Sequence, residues 1–181
     1  MPLFKASEAR SLSKAYSGYK TSSQILTESY KEFSFLENYD IFLSHSFSDA
    51  DIINGIKKKL ELSGYSVYVD WIEDYQLDRR LVSSHTARLL RNRMRRSKSL
   101  FYVTSSNSTK SKWMPWETGY FDGFKGKVAI FPVNEEVFDK YQFKGQEFLN
   151  LYPYITLSKD GKTLYVVDEE NNWKELSSWI N

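Results

Sequence analysis

Glu117 has the best-defined setting for chemistry in this chain of 181 residues, because it closes the run Ser111-Lys-Trp-Met-Pro-Trp-Glu. Serine is a good helix cap, and Pro115 falls among the first four helical positions, where no backbone N–H is needed. A helix starting at Ser111 puts Trp113 and Glu117, four residues apart, on one face. It also holds the Glu117 carboxylate near the positive end of the helix dipole, which attracts an anion. The bland alternative is a solvated surface carboxylate, the usual fate of a helical glutamate.

Other candidates surround it in the sequence. Ser44 and His45 end the apolar run Tyr39-Asp-Ile-Phe-Leu-Ser-His, where a hydroxyl or imidazole could contact a ribose or phosphate. A strand-end histidine can equally serve a backbone hydrogen bond. Asp70 could bind ribose hydroxyls or cap a loop, and Trp71 could stack on an aromatic base or belong to the core. Trp113 reads as the pin of the helix that presents Glu117, and Trp116 as packing. From Arg79 to Lys98 there are eight basic residues and no acidic one. Arg88, Arg91, Arg95 and Arg79 or Arg80 could meet phosphates or an acidic neighbour, or form a solvated helix face. Ser48-Asp-Ala-Asp51 has the form of a capping box with Asp in place of Glu, and its helix N-terminus is a candidate phosphate seat.

The totals narrow the chemistry. There is no cysteine, which excludes disulfides, thiolate metal sites and cysteine nucleophiles, and two histidines without ligand spacing argue against a metal. The net charge of +2 and the lack of a recognised motif disfavour nucleic acid. No apolar run has the length of a signal peptide or a membrane span, so a cytoplasmic protein without membrane contact is expected. The aromatic fraction of 17% supplies packing surface that a disordered chain would lack.

The elements that must position these residues alternate. Strands are expected at 39–45, 65–71, 99–104 and 127–133. Between them lie helices with Ile52, Ile53, Ile56 and Leu60 on one face (stopped by Gly64), with Ala87, Leu90 and Met94, and from Ser111 to Phe124. This order predicts an α/β, doubly wound parallel sheet with helices on both faces, whose ligands sit at the carboxyl ends of the strands. After Val133 a hairpin is expected over 154–167, with Asp160-Gly161 at its turn, and then a short helix over 173–180. Residues 1–37, with apolar positions at Leu26, Tyr30 and Phe33, read as an N-terminal helical extension; residues 38–181 read as the main domain.

Four segments together resemble a known family. Tyr39-Asp-Ile-Phe-Leu-Ser-His-Ser resembles the first signature segment of TIR domains, and Ser111 to Glu117 resembles their Ser-x-Trp-x-x-x-Glu. Phe131-Pro132 sits where the family carries a similar pair, and Ile72 to Val82 occupies the place of its BB loop. The resemblance covers about residues 38–133 and implies the flavodoxin-like TIR fold. The Arg-Asp-x-x-Pro-Gly pattern of animal receptor TIR domains is absent, and the hairpin tail replaces a plain fifth strand and helix. The chain looks more like the TIR proteins of bacterial antiviral systems of the Thoeris type.

That resemblance implies an enzyme that consumes NAD and makes an ADP-ribose-derived messenger for a partner effector protein. Glycosidases of ordinary sugars need two carboxylates, but nicotinamide is already a cationic leaving group, so one anion suffices. Glu117 is then the catalytic carboxylate, with Ser44, His45, Asp70, Trp71, Arg88 and Trp113 as candidate substrate contacts. NAD enters as substrate, with no separate cofactor and no metal. Homo-oligomers through TIR contacts are implied too. Two alternatives stand beside it: a non-catalytic TIR scaffold, and another nucleotide-binding α/β protein. The second lacks a Gly-rich phosphate loop.

Overall fold

Ile41 and Leu43 face one side of strand β2 (Tyr39–Ser44) and Phe42 the other, and all three are at most 1% exposed. Burial on both faces is what a central parallel strand demands. The structure, a computed structural model, describes residues 2–17, 38–70, 83–136 and 147–181.

The same alternation recurs in β4 (Ser97–Thr104) and β5 (Val128–Asn134). Phe101, Val103, Ala129 and Phe131 join Ile41 and Leu43 against helix α2 (Ala50–Leu62), where Ile52, Ile53, Ile56 and Leu60 are buried as their spacing predicts. Leu100, Tyr102, Val128 and Ile130 join Phe42 on the other face. They meet Leu90 and Met94 of α3 (Ser84–Arg95) and Met114 and Phe121 of α4 (Trp113–Lys125). Among the described residues the strands form one eight-stranded sheet. Its order is β3-β2-β4-β5-β6-β7-β8, with β3 (Val67–Tyr68), β6 (Tyr154–Leu157), β7 (Leu164–Val167) and β8 (Trp173–Glu175). Pairing is parallel from β3 to β6 and antiparallel from there to β8. This is the helix-flanked, mostly parallel sheet expected. The hairpin turn is also where Asp160-Gly161 places it: Gly161 adopts φ +68°, and Asp160 Oδ1 accepts the Lys162 amide at 3.1 Å.

Four local expectations are corrected. The strand expected over 65–71 pairs with β2 only at Val67 and Tyr68. The preceding Ser66 amide is taken by the Asp40 carboxylate at 2.9 Å. Trp173 does not open a helix. It lies in β8 with its ring edge-on to Tyr165 of β7, centroids 5.2 Å apart, and helix α5 (Leu176–Ile180) begins after it. The capping box at Ser48 does not form either. Phe47–Asp49 make a 3-10 turn, α2 starts at Ala50, and its N-cap Asp49 makes no side-chain cap bond.

The fourth correction concerns the N-terminal residues, which contribute a strand as well as a helix. Strand β1 (Phe4–Lys5) pairs parallel with β5, with Phe4 opposite Val133 and its ring 5.8 Å from Phe131. Helix α1 (Ala6–Ser17) then packs backbone-close on α2. Leu26, Tyr30 and Phe33, the loop Ile72–Val82, Trp71, Arg79 and Arg80 lie outside the described residues.

Candidate active site

Ser44 is the last residue of β2 and stands opposite Tyr102 of β4 in register. Its side chain falls on the α3–α4 side of the sheet, in phase with Phe42. There the Ser44 hydroxyl donates to Glu117 Oε2 at 2.6 Å, and both side chains are 0% exposed. That length is typical of a hydroxyl donating to a charged carboxylate. The helix that brings Glu117 to this point begins at Trp113, with Pro115 in its first turn. Ser111 Oγ accepts the Met114 amide at 3.3 Å, satisfying one of the helix's orphan donors. Glu117 is therefore a buried carboxylate at the carboxyl ends of parallel strands.

Tyr102 is a neighbour that the sequence reading missed. Burial pushes its phenol above the ordinary value, the nearby Glu117 carboxylate pushes the same way, and the neighbouring Ser108 hydroxyl opposes both. The signal available in sequence was its position: two residues from the end of a strand flanking β2, on the same face as Ser44.

His45 and Asp70 are brought together. The Nδ1 atom of His45 lies 2.7 Å from the Leu43 carbonyl oxygen, so it carries a proton and donates there. Its Nε2 faces Asp70 Oδ1 at 3.4 Å, and the two side chains are 1% and 2% exposed. The pair joins the ends of β2 and β3.

Trp113 is half-buried, edge-on to Trp116 at 5.3 Å, and packs against the core under α4. Arg88 is exposed on α3, where its guanidinium donates to His85 Nδ1 at 3.2 Å. Arg91 lies over the rings of Trp116 and Tyr120, 5.4 and 5.9 Å from their centroids, and Arg95 donates to the Tyr120 hydroxyl at 2.9 Å. Arg91 and Arg95 thus tie α3 to α4, while Arg88 bonds within α3. At the N-terminus of α2 the buried Asp49 carboxylate and Asp51 in the first turn oppose an anion, which weakens the phosphate seat expected there. Among the described residues no group of three or more His, Asp or Glu could hold a metal, and no helix is long and apolar enough to cross a membrane.

Residues 41–171 match the family described as TIR domain. The chain belongs to the TIR domain family. The match spans β2 to the β7–β8 turn and so includes Ser44, Glu117 and the hairpin. This TIR chain is 46% identical over 177 residues to the probable 3' cyclic ADP-D-ribose synthase ThsB' of Bacillus cereus (strain MSX-D12), covering 94% of this chain and 91% of the relative. It is 39% identical over 83 residues to the putative cyclic ADP-D-ribose synthase TIR2 of Cytobacillus dafuensis, covering 45% of this chain and 22% of that protein.

Proposed function

We propose that this TIR protein cleaves the nicotinamide–ribose bond of NAD and closes the remaining ADP-ribose into a cyclic messenger, acting in bacterial antiphage defence. The observation that carries the reading is the Ser44–Glu117 pair, a buried carboxylate held at 2.6 Å by a hydroxyl at the strand ends. The similarity to a probable 3' cyclic ADP-D-ribose synthase over nearly the whole chain supports the choice of reaction.

The chemistry needs little from the protein. The bond between the ribose anomeric carbon and the pyridinium nitrogen breaks, its electron pair neutralises the ring, and nicotinamide departs. An oxocarbenium-like ribose remains. Glu117 stabilises that charge and accepts from a ribose hydroxyl, which takes the place of the Ser44 hydroxyl. A hydroxyl of the adenosine ribose then attacks the anomeric carbon and releases a proton; attack by water instead yields ADP-ribose. Holding both ends of one substrate together gives cyclisation its advantage over hydrolysis. His45 and Asp70 act together by fixing the strand ends, while Trp113 seats the first turn of α4. NAD is substrate, and no further cofactor enters the scheme.

The messenger acts on an effector protein, and the reaction belongs in the cytoplasm, where NAD and phage both are. Self-association through TIR surfaces accompanies the activity. A second reading, a non-catalytic TIR scaffold, draws on the same complete burial of Glu117, since a structural carboxylate would be buried too.

One experiment separates them. The purified full-length protein is incubated with NAD, with and without phage lysate, and nicotinamide and adenine-containing products are followed by mass spectrometry. Nicotinamide release that is lost in Glu117→Gln establishes the enzyme, and a product lighter than ADP-ribose by one water establishes cyclisation. A folded protein that releases none under either condition, yet still self-associates when carrying Glu117→Gln, is the scaffold.

A further inference from the structure

Asp49 is an acidic side chain only 4% exposed, and the reaction above does not use it. As the N-cap of α2 its ordinary task would be to accept from that helix's own amides, and it does not. Its oxygens reach across to the connection between β4 and α4. Oδ2 accepts from Ser105 Oγ at 2.5 Å and Oδ1 accepts from Asn107 Nδ2 at 2.7 Å, partners 56 and 58 residues away. A carboxylate withdrawn from water is costly unless such bonds replace its hydration.

The gripped connection is itself tightly bonded. While donating to Asp49, Ser105 Oγ accepts the amides of Asn107 and Ser108, both at 3.2 Å. Ser108 Oγ donates to the Ser105 carbonyl at 2.9 Å, and the Ser106 amide donates to Glu135 Oε1 at 3.0 Å beyond the end of β5. Ser108 also stands near Tyr102, on whose phenol the Glu117 carboxylate acts. Shortly after, Ser111 receives the Met114 amide in the first turn of α4. The start of the Glu117 helix is thus referred, bond by bond, to the turn that follows β2.

We infer that Asp49 is a positioning residue: its carboxylate clamps residues 105–108 and so sets α4 at the height where Glu117 meets the substrate at the ends of β2 and β4. The inference rests on the NAD-cleaving reading of Glu117. Asp49 acts through Ser105 and Asn107 and does not touch the reacting atoms.

The test compares Asp49→Ala, Asp49→Asn and Asp49→Ala/Ser105→Ala with wild type in the full-length protein, well below the thermal midpoint of each. Asp49→Ala lowers kcat for nicotinamide release by at least about ten-fold with KM within about two-fold, as misplacement of a catalytic group should. Asp49→Asn regains most of kcat, because its amide oxygen still accepts from Ser105 and its nitrogen can donate to a turned Asn107 amide. Ser105→Ala, made alone and in Asp49→Ala, costs less in the second background, where only its bonds to the Asn107 and Ser108 amides are left to lose. Hydrogen exchange needs no turnover: in Asp49→Ala the amides of Asn107, Ser108 and Met114 exchange faster, while those of β2 and β5 do not. Wild-type kcat in Asp49→Ala, no rescue by Asn, or a uniform rise in exchange overturns the inference. If wild type releases no nicotinamide, the reaction assignment falls, and the exchange pattern alone decides the clamp.

Discussion

On the face of the sheet covered by α1 and α2, helix meets helix backbone to backbone. A Cβ placed on Gly55 would lie 1.9 Å from the Ala9 carbonyl oxygen, and Ile52, Ile53, Ile56 and Leu60 fill the space beneath, each at most 2% exposed. On the opposite face α4 buries Glu117 and Thr118 beside Met114 and Phe121. Each of those polar groups is answered by a specific bond: Ser44 donates to Glu117, and Thr118 donates to the Met114 carbonyl at 2.9 Å. The outer edge of α4 is an aromatic file, Trp113, Trp116, Tyr120 and Phe124, whose rings lie 5.1 to 5.9 Å from one another in succession. The first face is organised by shape and the second by polar partnership. The proposed function places chemistry on the second, because a buried carboxylate held by a replaceable hydroxyl can exchange that partner for a substrate, and a close-packed backbone contact cannot.

The widest separation between the faces comes from one substitution in each. Glu117→Gln keeps an oxygen that can accept from Ser44, so the fold persists while nicotinamide release falls by about a thousand-fold or more. Gly55→Val forces backbone apart at the α1–α2 contact and costs about 3 kcal/mol or more. Its thermal midpoint should fall by roughly 6–12 °C, with the turnover of the protein still folded unchanged. A Gly55→Val protein with a wild-type midpoint would show that α1 is not held as the structure has it.

Ser44→Ala comes next. It deprives a fully buried carboxylate of a hydroxyl donor, which costs about 1–3 kcal/mol. On the proposed reading the same substitution opens the place that a ribose hydroxyl would take, so NAD should restore more thermal stability to Ser44→Ala than to wild type. Equal shifts with NAD in both proteins would show that substrate does not replace Ser44 at Glu117.

Much of this division was legible in the sequence, and the parts that were not share a cause. Period-two burial in Tyr39–Ser44 and the helical spacing of Ile52, Ile53, Ile56 and Leu60 are local signals, and the structure follows them. The Asp160-Gly161 turn is local as well. Asp49 was read as part of a cap because Ser48 and Asp51 stand at the right spacing, yet its partners Ser105 and Asn107 lie on another connection. Strand β1 is two residues long and exists only because β5 offers it an edge, so no periodicity announces it. Trp173 carries an amphipathic pattern that suits a helix, and the ring of Tyr165 across the hairpin draws it into a strand. Around Glu117 the motif located the carboxylate, while Tyr102 looked like any core aromatic until the register with Ser44 was known.

At the other end of β2 from Ser44, Asp40 tests whether polar partnership also stabilises where no chemistry is done. Burial would raise its pKa, but Lys98 at 2.8 Å and the Ser66 amide and hydroxyl, each at 2.9 Å, outweigh it and hold the carboxyl below its ordinary 3.8. A folded-state pKa below the unfolded one contributes stability above the unfolded value, and that contribution is lost as pH falls through the folded value. Asp40→Asn should therefore be less stable than wild type near neutral pH, by a modest amount because its partner Lys98 is half exposed and screened by solvent. The difference should shrink as unfolding is measured at pH values below 3.8. A gap that stays constant from neutral to acid would assign the effect to packing rather than charge.

The smallest effect sharpens the contrast in glycine itself. Gly119 and Gly123 lie on the exposed side of α4, where an added Cβ meets nothing within 4 Å. Glycine inside a helix costs about 0.5–1 kcal/mol relative to alanine through backbone entropy. Gly119→Ala and Gly123→Ala should each raise stability by about that much in chemical denaturation, without altering the slope of the transition. Gly55→Ala, with the same loss of backbone freedom, should destabilise, because its methyl group has the Ala9 carbonyl in its way. Were Gly119→Ala to destabilise while folding normally, that side of α4 would be covered by a second copy in solution, and sedimentation of the two proteins would show the difference.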